Sequence, residues 1–184
     1  MNNVVITAGI HGNEVGGTLA AFCLQKTFPQ IPTYTVLNPM GFIQGTRRTN
    51  GKDLNRQFGK NDVTANNILQ KVLSHQPSIV ITLHEDDEVD HCYIYCNESL
   101  RSLAEQSLTV MHKRLPGLPR SVHGDKPDNG VITHGKYPVK GTLEKELSKL
   151  GINYICFETP QLKNLNDRIK ALTHGVAYFI SHLK

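Results

Sequence analysis

The chain has 184 residues, 39% of them apolar and 20% charged, with a formal net charge of +4 at pH 7. This length and composition fit one globular domain with a sizeable core, and they exclude collagen-like, low-complexity and disordered classes. No apolar run approaches the ~18 residues of a membrane span, and Met1-Asn2-Asn3 offers no basic leader, so a soluble, cytoplasmic protein with no membrane partner is expected.

Val4 to Ala8 is a short apolar run of strand type, and Glu14 to Lys26 has helical spacing with Val15, Leu19, Phe22 and Cys23 on one side. Tyr34 to Leu37 reads as a second strand, stopped by Asn38-Pro39, and residues 41 to 59 read as a long loop. Asp62 or Thr64 caps a helix to about His75. Ser78 to Leu83 and Tyr93 to Cys96 read as strands, and Glu98 or Ser99 to about Arg114 as a helix. Leu115 to Pro138 is mostly loop. Thr142 to Leu150 is a helix ended by Gly151, Tyr154 to Phe157 a strand, and Leu165 to Leu183 a final amphipathic helix. The alternation predicts a single α/β domain, a mixed and mostly parallel sheet with helices on both faces.

Charge and cysteine usage narrow the function. Arg47, Arg48, Lys52 and Arg56 cluster in one segment, whereas Glu85, Asp86, Asp87, Glu88 and Asp90 form an opposite pole. A nucleic-acid binder more often shows an extended basic face with interleaved aromatics, and here Trp is absent, so no nucleic-acid partner is expected. Four cysteines in a chain this long do not make a disulfide framework. Cys92 and Cys96 share one strand face with no second Cys pair following, and all four cysteines are expected as reduced core thiols.

Three strands run into residues with metal or acid–base chemistry: Val4–Ala8 into His11, Ile79–Leu83 into His84, and Tyr154–Phe157 into Glu158. In open α/β sheets, sites form beyond the carboxyl ends of strands, so parallel neighbours would bring these residues into one cleft. His11 and Glu14, three residues apart at a helix start, reach one point. Imidazole nitrogen and carboxylate oxygen are ordinary zinc ligands, and His84 would be the third in a His2Glu set that leaves a position for water. Zinc lowers the pKa of that water to about 7. The other reading of the same residues is a plain helix start, with Glu14 favourable to the dipole.

Asn55 and Arg56 supply an amide donor and a planar guanidinium fork suited to a substrate carboxylate, and a further Arg could steady an oxyanion; otherwise this is a solvated basic loop. Glu158, beside Cys156 and Phe157, is expected to have a raised pKa suited to a general base. The alternatives for Glu158 are an exposed strand end or a partner for a structural Arg.

Together these segments resemble the zinc carboxypeptidases of the carboxypeptidase A type, a superfamily that also contains murein-peptide amidases and the aspartoacylase/succinylglutamate desuccinylase branch. The resemblance runs from about Asn3 to Pro160: His11-x-x-Glu14, an Arg followed by Asp53-Leu54-Asn55-Arg56, then His84, then Glu158. It implies one zinc per chain on His11, Glu14 and His84, with Glu158 as base. It further implies that Asn55 and Arg56 form a carboxylate clamp and that Arg48, or its neighbour Arg47, is the oxyanion arginine.

Gly9-Ile10-His11-Gly12-Asn13-Glu14 and the step from Arg48 to Asn55 are similar to the aspartoacylase branch. Lys136 to Leu143, followed by Phe157-Glu158-Thr159-Pro160, is more similar to the carboxypeptidase and murein-amidase side, where Tyr137 resembles a substrate-facing tyrosine; the other reading of Tyr137 is a packed loop tyrosine. The chain is shorter than typical members, and an open cleft suited to peptides is expected. The acidic run after His84 either repels acidic side chains and attracts an amine or is simply a solvated loop.

The expected activity is zinc-dependent hydrolysis of an amide bond in a short or cell-wall-derived peptide with a free carboxylate. The first alternative is an N-acyl amino acid deacylase acting on an acylated amino acid, and the second a non-catalytic module that binds peptide carboxylates.

Overall fold

The computed structural model describes residues 3–183. In chain order the elements are β1 (Val4–Ala8), α1 (Val15–Thr27), β2 (Thr33–Tyr34), α2 (Pro39–Gln44), β3 (Arg48–Thr49), β4 (Lys52–Asp53), α3 (Val63–Leu73), β5 (Ile79–Asp86), β6 (Tyr93–Cys96), α4 (Arg101–His112), β7 (Val131–Ile132), α5 (Leu143–Lys149), β8 (Asn153–Pro160) and α6 (Leu165–His182). The described residues form a six-stranded sheet in the order β2-β1-β5-β8-β6-β7. β1, β2, β5 and β8 are parallel; β6 runs antiparallel to β8, and β7 is parallel to β6. This is the mixed, mostly parallel α/β architecture expected from the alternation of apolar runs and helical patterns. No helix among the described residues is long and apolar enough to cross a membrane.

Side chains alternate across each strand, so one sheet makes two cores. Ile79, Ile81 and Leu83 of β5 and Ile155 and Phe157 of β8 face α1, α4 and α6, meeting Leu24, Leu108, Met111, Leu172 and Phe179. Val80 of β5 and Tyr154 and Cys156 of β8 face α3 and α5, meeting Ala65, Ile68, Val72, Leu143 and Leu147. By the same period of two, His84 and Glu158 fall on the α3 and α5 side.

Several sequence expectations change. The buried side of α1 is Gly16, Gly17, Ala20, Ala21 and Leu24, while Phe22 and Cys23 are exposed. The cause is close packing: a Cβ on Gly17 would lie 3.2 Å from the Leu83 carbonyl oxygen, so small residues, not large ones, face the sheet. Cys23 is therefore no core thiol, although Cys92, Cys96 and Cys156 are free and buried. The expected strand at Tyr34–Leu37 is only Thr33–Tyr34.

The long loop over residues 41 to 59 contains part of α2, the β3–β4 hairpin and a 3-10 turn at Leu54–Arg56. β7 was hidden in the Pro- and Gly-rich loop. β5 and β8 run past the apolar segments to Asp86 and Pro160, so His84 and Glu158 lie within strands, where the ladder fixes them.

Candidate active site

The turn after β1 is built on close backbone approaches. Gly9 has φ +66, and a Cβ there would lie 2.8 Å from Thr18 Oγ1 and 2.9 Å from the Thr35 carbonyl. A Cβ on Gly12 would fall 1.9 Å from the Gly41 carbonyl carbon, so the His11 turn sits directly on α2, and Gly12 N–H donates to the Thr46 carbonyl at 3.0 Å. Asn38 ties the two together: its Nδ2 donates to the Ile10 carbonyl at 3.3 Å, and its Oδ1 accepts from Gly41 N and Thr49 Oγ1, each at 3.0 Å. These contacts bring the arginine-bearing β3–β4 hairpin beside His11.

His11, Glu14 and His84 are 3%, 2% and 5% exposed, and their potential ligand atoms all lie within 4.8 Å of one another. Glu14 Oε1 is 2.5 Å from His11 Nδ1, and Glu14 Oε2 is 3.0 Å from His84 Nδ1. Asp53 Oδ1 is 3.1 Å from His11 Nε2, and its Oδ2 accepts from Arg47 Nε at 3.1 Å; Arg47 Nη1 is 3.5 Å from Glu14 Oε1.

Burial alone would raise the Glu14 carboxyl, but the His11 and His84 imidazoles outweigh it and hold it at about 2. Burial likewise opposes a charge on His84, yet Glu14 raises that imidazole well above its ordinary value. Burial would also raise Asp53, and the His11 hydrogen bond with the charges of His11, Arg47 and Arg56 holds it well below the usual carboxylate range. Two imidazoles and one carboxylate, buried and converging on one point, are a donor set that fits a zinc-type ion, which would displace the proton held between them.

Glu158 is the β8 register partner of His84 and is 9% exposed. Burial pushes its carboxyl up to about 8; His84 opposes this, while Glu14 and Asp86 add to it. The Cys156 thiol, on the same strand face, donates to Glu158 Oε1 at 3.5 Å.

Asn55 is 2% exposed, and its Oδ1 accepts from Leu143 N at 3.0 Å, which leaves Nδ2 as its remaining donor. Arg56 Nη1 donates to the Asn55 carbonyl at 2.7 Å. Gly141, at φ +94, lets the start of α5 pack against this segment, since a Cβ there would lie 2.5 Å from the Arg56 carbonyl oxygen. Tyr137 stacks on Tyr95 with ring centroids 4.3 Å apart.

All nine residues singled out in the sequence (His11, Glu14, Arg47, Arg48, Asn55, Arg56, His84, Tyr137 and Glu158) line one cleft of about 580 Å³. Of the two arginines, half-buried Arg47 is the one held against Glu14 and Asp53, and Arg48 is exposed.

The acidic run is not the uniform charged loop that the sequence presents. Glu85 is buried, accepting from Gly16 N at 2.8 Å and Arg168 Nη1 at 2.5 Å. Asp86 accepts from the Tyr93 hydroxyl, from the backbone of Glu88 and Val89, and is 2.8 Å from His123 Nε2, while Asp90 pairs with Lys163.

Sequence reasoning gave no role to Asp53, although it lies two residues before Asn55, and it passed over Glu144 altogether. Glu144 is buried with Nε2 of His84 3.6 Å from its Oε1. Its position after the capping Thr142 reads as an ordinary acid in a first helical turn.

The model of the succinylglutamate desuccinylase/aspartoacylase catalytic domain matches residues 1–183. Among solved structures, a candidate metallopeptidase of Shewanella denitrificans is 22% identical with a TM-score of 0.81, over 98% of this chain and 74% of that one. The murein-tripeptide amidase of Escherichia coli O157 is 18% identical with a TM-score of 0.70, over 100% and 83%. A succinylglutamate desuccinylase of a Silicibacter species is 16% identical with a TM-score of 0.68, over 98% and 57%. At these identities the likeness establishes a shared fold. No curated protein sequence matches the chain.

Proposed function

The chain belongs to the succinylglutamate desuccinylase/aspartoacylase catalytic-domain family, and from that premise we propose that it is a zinc-dependent hydrolase of an amide bond in a short, carboxylate-bearing peptide. The observation that carries this reading is the convergence of His11, Glu14 and His84 beside Glu158 in one cleft with a basic wall. His11, Glu14 and His84 would hold the ion, with Asp53 fixing His11 through its Nε2. When bound, zinc supplies a Lewis acid and makes water a nucleophile near neutral pH.

The protein's own groups do the rest. Arg56 and the Asn55 amide hold the substrate carboxylate, which orients the scissile carbonyl. Glu158, with its raised pKa, takes the proton of the attacking water and returns it to the amine as the C–N bond breaks. Arg48 steadies the oxyanion of the tetrahedral intermediate, with Arg47 as the neighbour able to take that part. Tyr137, on the cleft wall, contacts the substrate beside the scissile amide. Glu158 and Asn55 are buried, so the Glu158 charge acts in a lower dielectric than water, whereas Arg48 works from the exposed rim of the cleft.

A second reading, deacylation of an N-acyl amino acid, is favoured by the family match itself. Rates of the zinc-loaded protein on dipeptides, on short cell-wall peptides and on acylated amino acids separate the two. Faster turnover of the peptides is expected; turnover confined to the acylated amino acids would overturn the peptidase reading, and no turnover of either would favour a carboxylate-binding module.

A further inference from the structure

Glu144 is fully buried, and neither carboxylate oxygen meets a donor at normal hydrogen-bond length, although the His84 imidazole and the Tyr137 hydroxyl both face it. It enters the interior from the first turn of α5, where Thr142 caps the helix and Leu143 and Leu147 anchor it in the core. Among the described residues no Lys or Arg forms an ion pair with it. The group that can carry a positive charge against it is His84, whose Nε2 is 3.6 Å from Glu144 Oε1. A carboxylate removed from water persists when a charge or a donor faces it.

The arrangement repeats the one at His11. There Nδ1 is 2.5 Å from Glu14 and Nε2 is 3.1 Å from Asp53. At His84, Nδ1 is 3.0 Å from Glu14 and Nε2 faces Glu144. Each imidazole thus turns Nδ1 toward the shared ligand point and Nε2 toward a carboxylate from a different part of the chain.

We propose that Glu144 is a positioning residue: by accepting the Nε2 proton of His84 it fixes the tautomer that leaves Nδ1 free for the ion. The proposal rests on the reading of His84 as a zinc ligand. A shift of roughly 0.6 Å would bring the pair to hydrogen-bond length. A role as receptor for a substrate amine fits less well, because Glu144 does not line the cleft, whereas its neighbour Tyr137 does.

Cys156 lies close enough to His84 and Glu144 to complete an alternative donor trio, so the test includes it. Zinc affinity is measured by chelator competition for wild type, Glu144→Gln and Cys156→Ala, with thermal unfolding of the metal-free proteins as the folding control. Glu144→Gln is expected to weaken zinc binding about 10–100-fold, as loss of an outer carboxylate partner does, while Cys156→Ala binds like wild type. In the zinc-loaded protein, the His84 Nε2 proton resonance should move upfield in Glu144→Gln.

Affinity within twofold of wild type, with that resonance unmoved, would overturn the positioning role. An equal loss in Cys156→Ala would overturn it in favour of a His84–Glu144–Cys156 ligand set. Wild type that binds no zinc would overturn the ion-site reading itself, and the proposal with it. Should Glu144→Gln not fold, Glu144→Asp, which keeps the charge on a shorter stem, is read by the same affinity and resonance criteria.

Discussion

His84 and Glu158 are register partners on the neighbouring parallel strands β5 and β8, and both project to the side of the sheet that α3 and α5 cover. This pairing sets the proposed base beside a proposed ligand without depending on a mobile loop. The same register places Tyr93 of β6 across from Glu158 on its other flank. The buried surroundings that raise the Glu158 pKa are therefore built into the sheet, and they have consequences that can be measured.

Glu158 is held near 8 in the folded metal-free protein, against an ordinary value of 4.5. The native state keeps a proton that the unfolded chain has released. The stability this group contributes is full below about pH 4.5 and is lost as the pH rises toward 8. In the presence of a chelator, Glu158→Gln should raise Tm at pH 9 and change it little at pH 4. A variant less stable than wild type at pH 9 would contradict the raised pKa.

With zinc bound, Glu158→Gln should keep the ion and lose turnover by about 10²–10⁴-fold, the range for removal of a general acid–base group. Single-turnover kinetics with matched zinc content measure this. Near-wild-type turnover would remove Glu158 from the proposed mechanism.

Asp53 bridges His11 Nε2 and Arg47. Asp53→Asn should weaken zinc binding about 10–100-fold, through the orientation of His11. Unchanged affinity in a chelator titration would show that His11 needs no such partner.

Arg56→Ala should raise KM about 10–100-fold with a smaller effect on kcat, since a charge-assisted hydrogen bond contributes about 1.5–3 kcal/mol to binding. Steady-state kinetics on substrates with a free and an amidated carboxyl group check this. An equal KM increase on the amidated substrate would argue against the clamp.

Gly16→Ala should destabilise the protein by about 1–3 kcal/mol, the usual cost of forcing atoms into a packed interior. Its Cβ would lie 2.2 Å from Glu85 Oε1, which Arg168 also holds. Denaturant unfolding gives the value, and a neutral result would mean that Glu85 moves freely.

Much of the cleft was legible because its residues sit at fixed places on regular elements. His84 and Glu158 follow apolar runs whose burial decides the strands, and period-two alternation then decides the face. His11 and Glu14 lie in the turn that leads into α1, with Glu14 at its N-cap. The buried side of α1 was not legible, because Phe22 and Leu19 form as good an apolar stripe as Ala20, Ala21 and Leu24; only the close approach of Gly17 to Leu83 selects the small residues. The hairpin at Arg48–Asp53 was hidden because two-residue strands carry no periodicity. The acidic run was misleading for a related reason. Glu85 and Asp86 look like their exposed neighbours in sequence, and only Arg168, Tyr93 and His123, distant in the chain, mark them as buried partners. Glu144 gave no signal, since an acid in a first helical turn is ordinarily exposed.

Metal content of the purified, zinc-reconstituted protein, compared with His84→Ala by elemental analysis, tests the proposed ion site most directly. About one zinc per chain in wild type, lost in His84→Ala, is the result expected of a His2Glu site. Wild type without zinc, or His84→Ala with as much zinc as wild type, would contradict it.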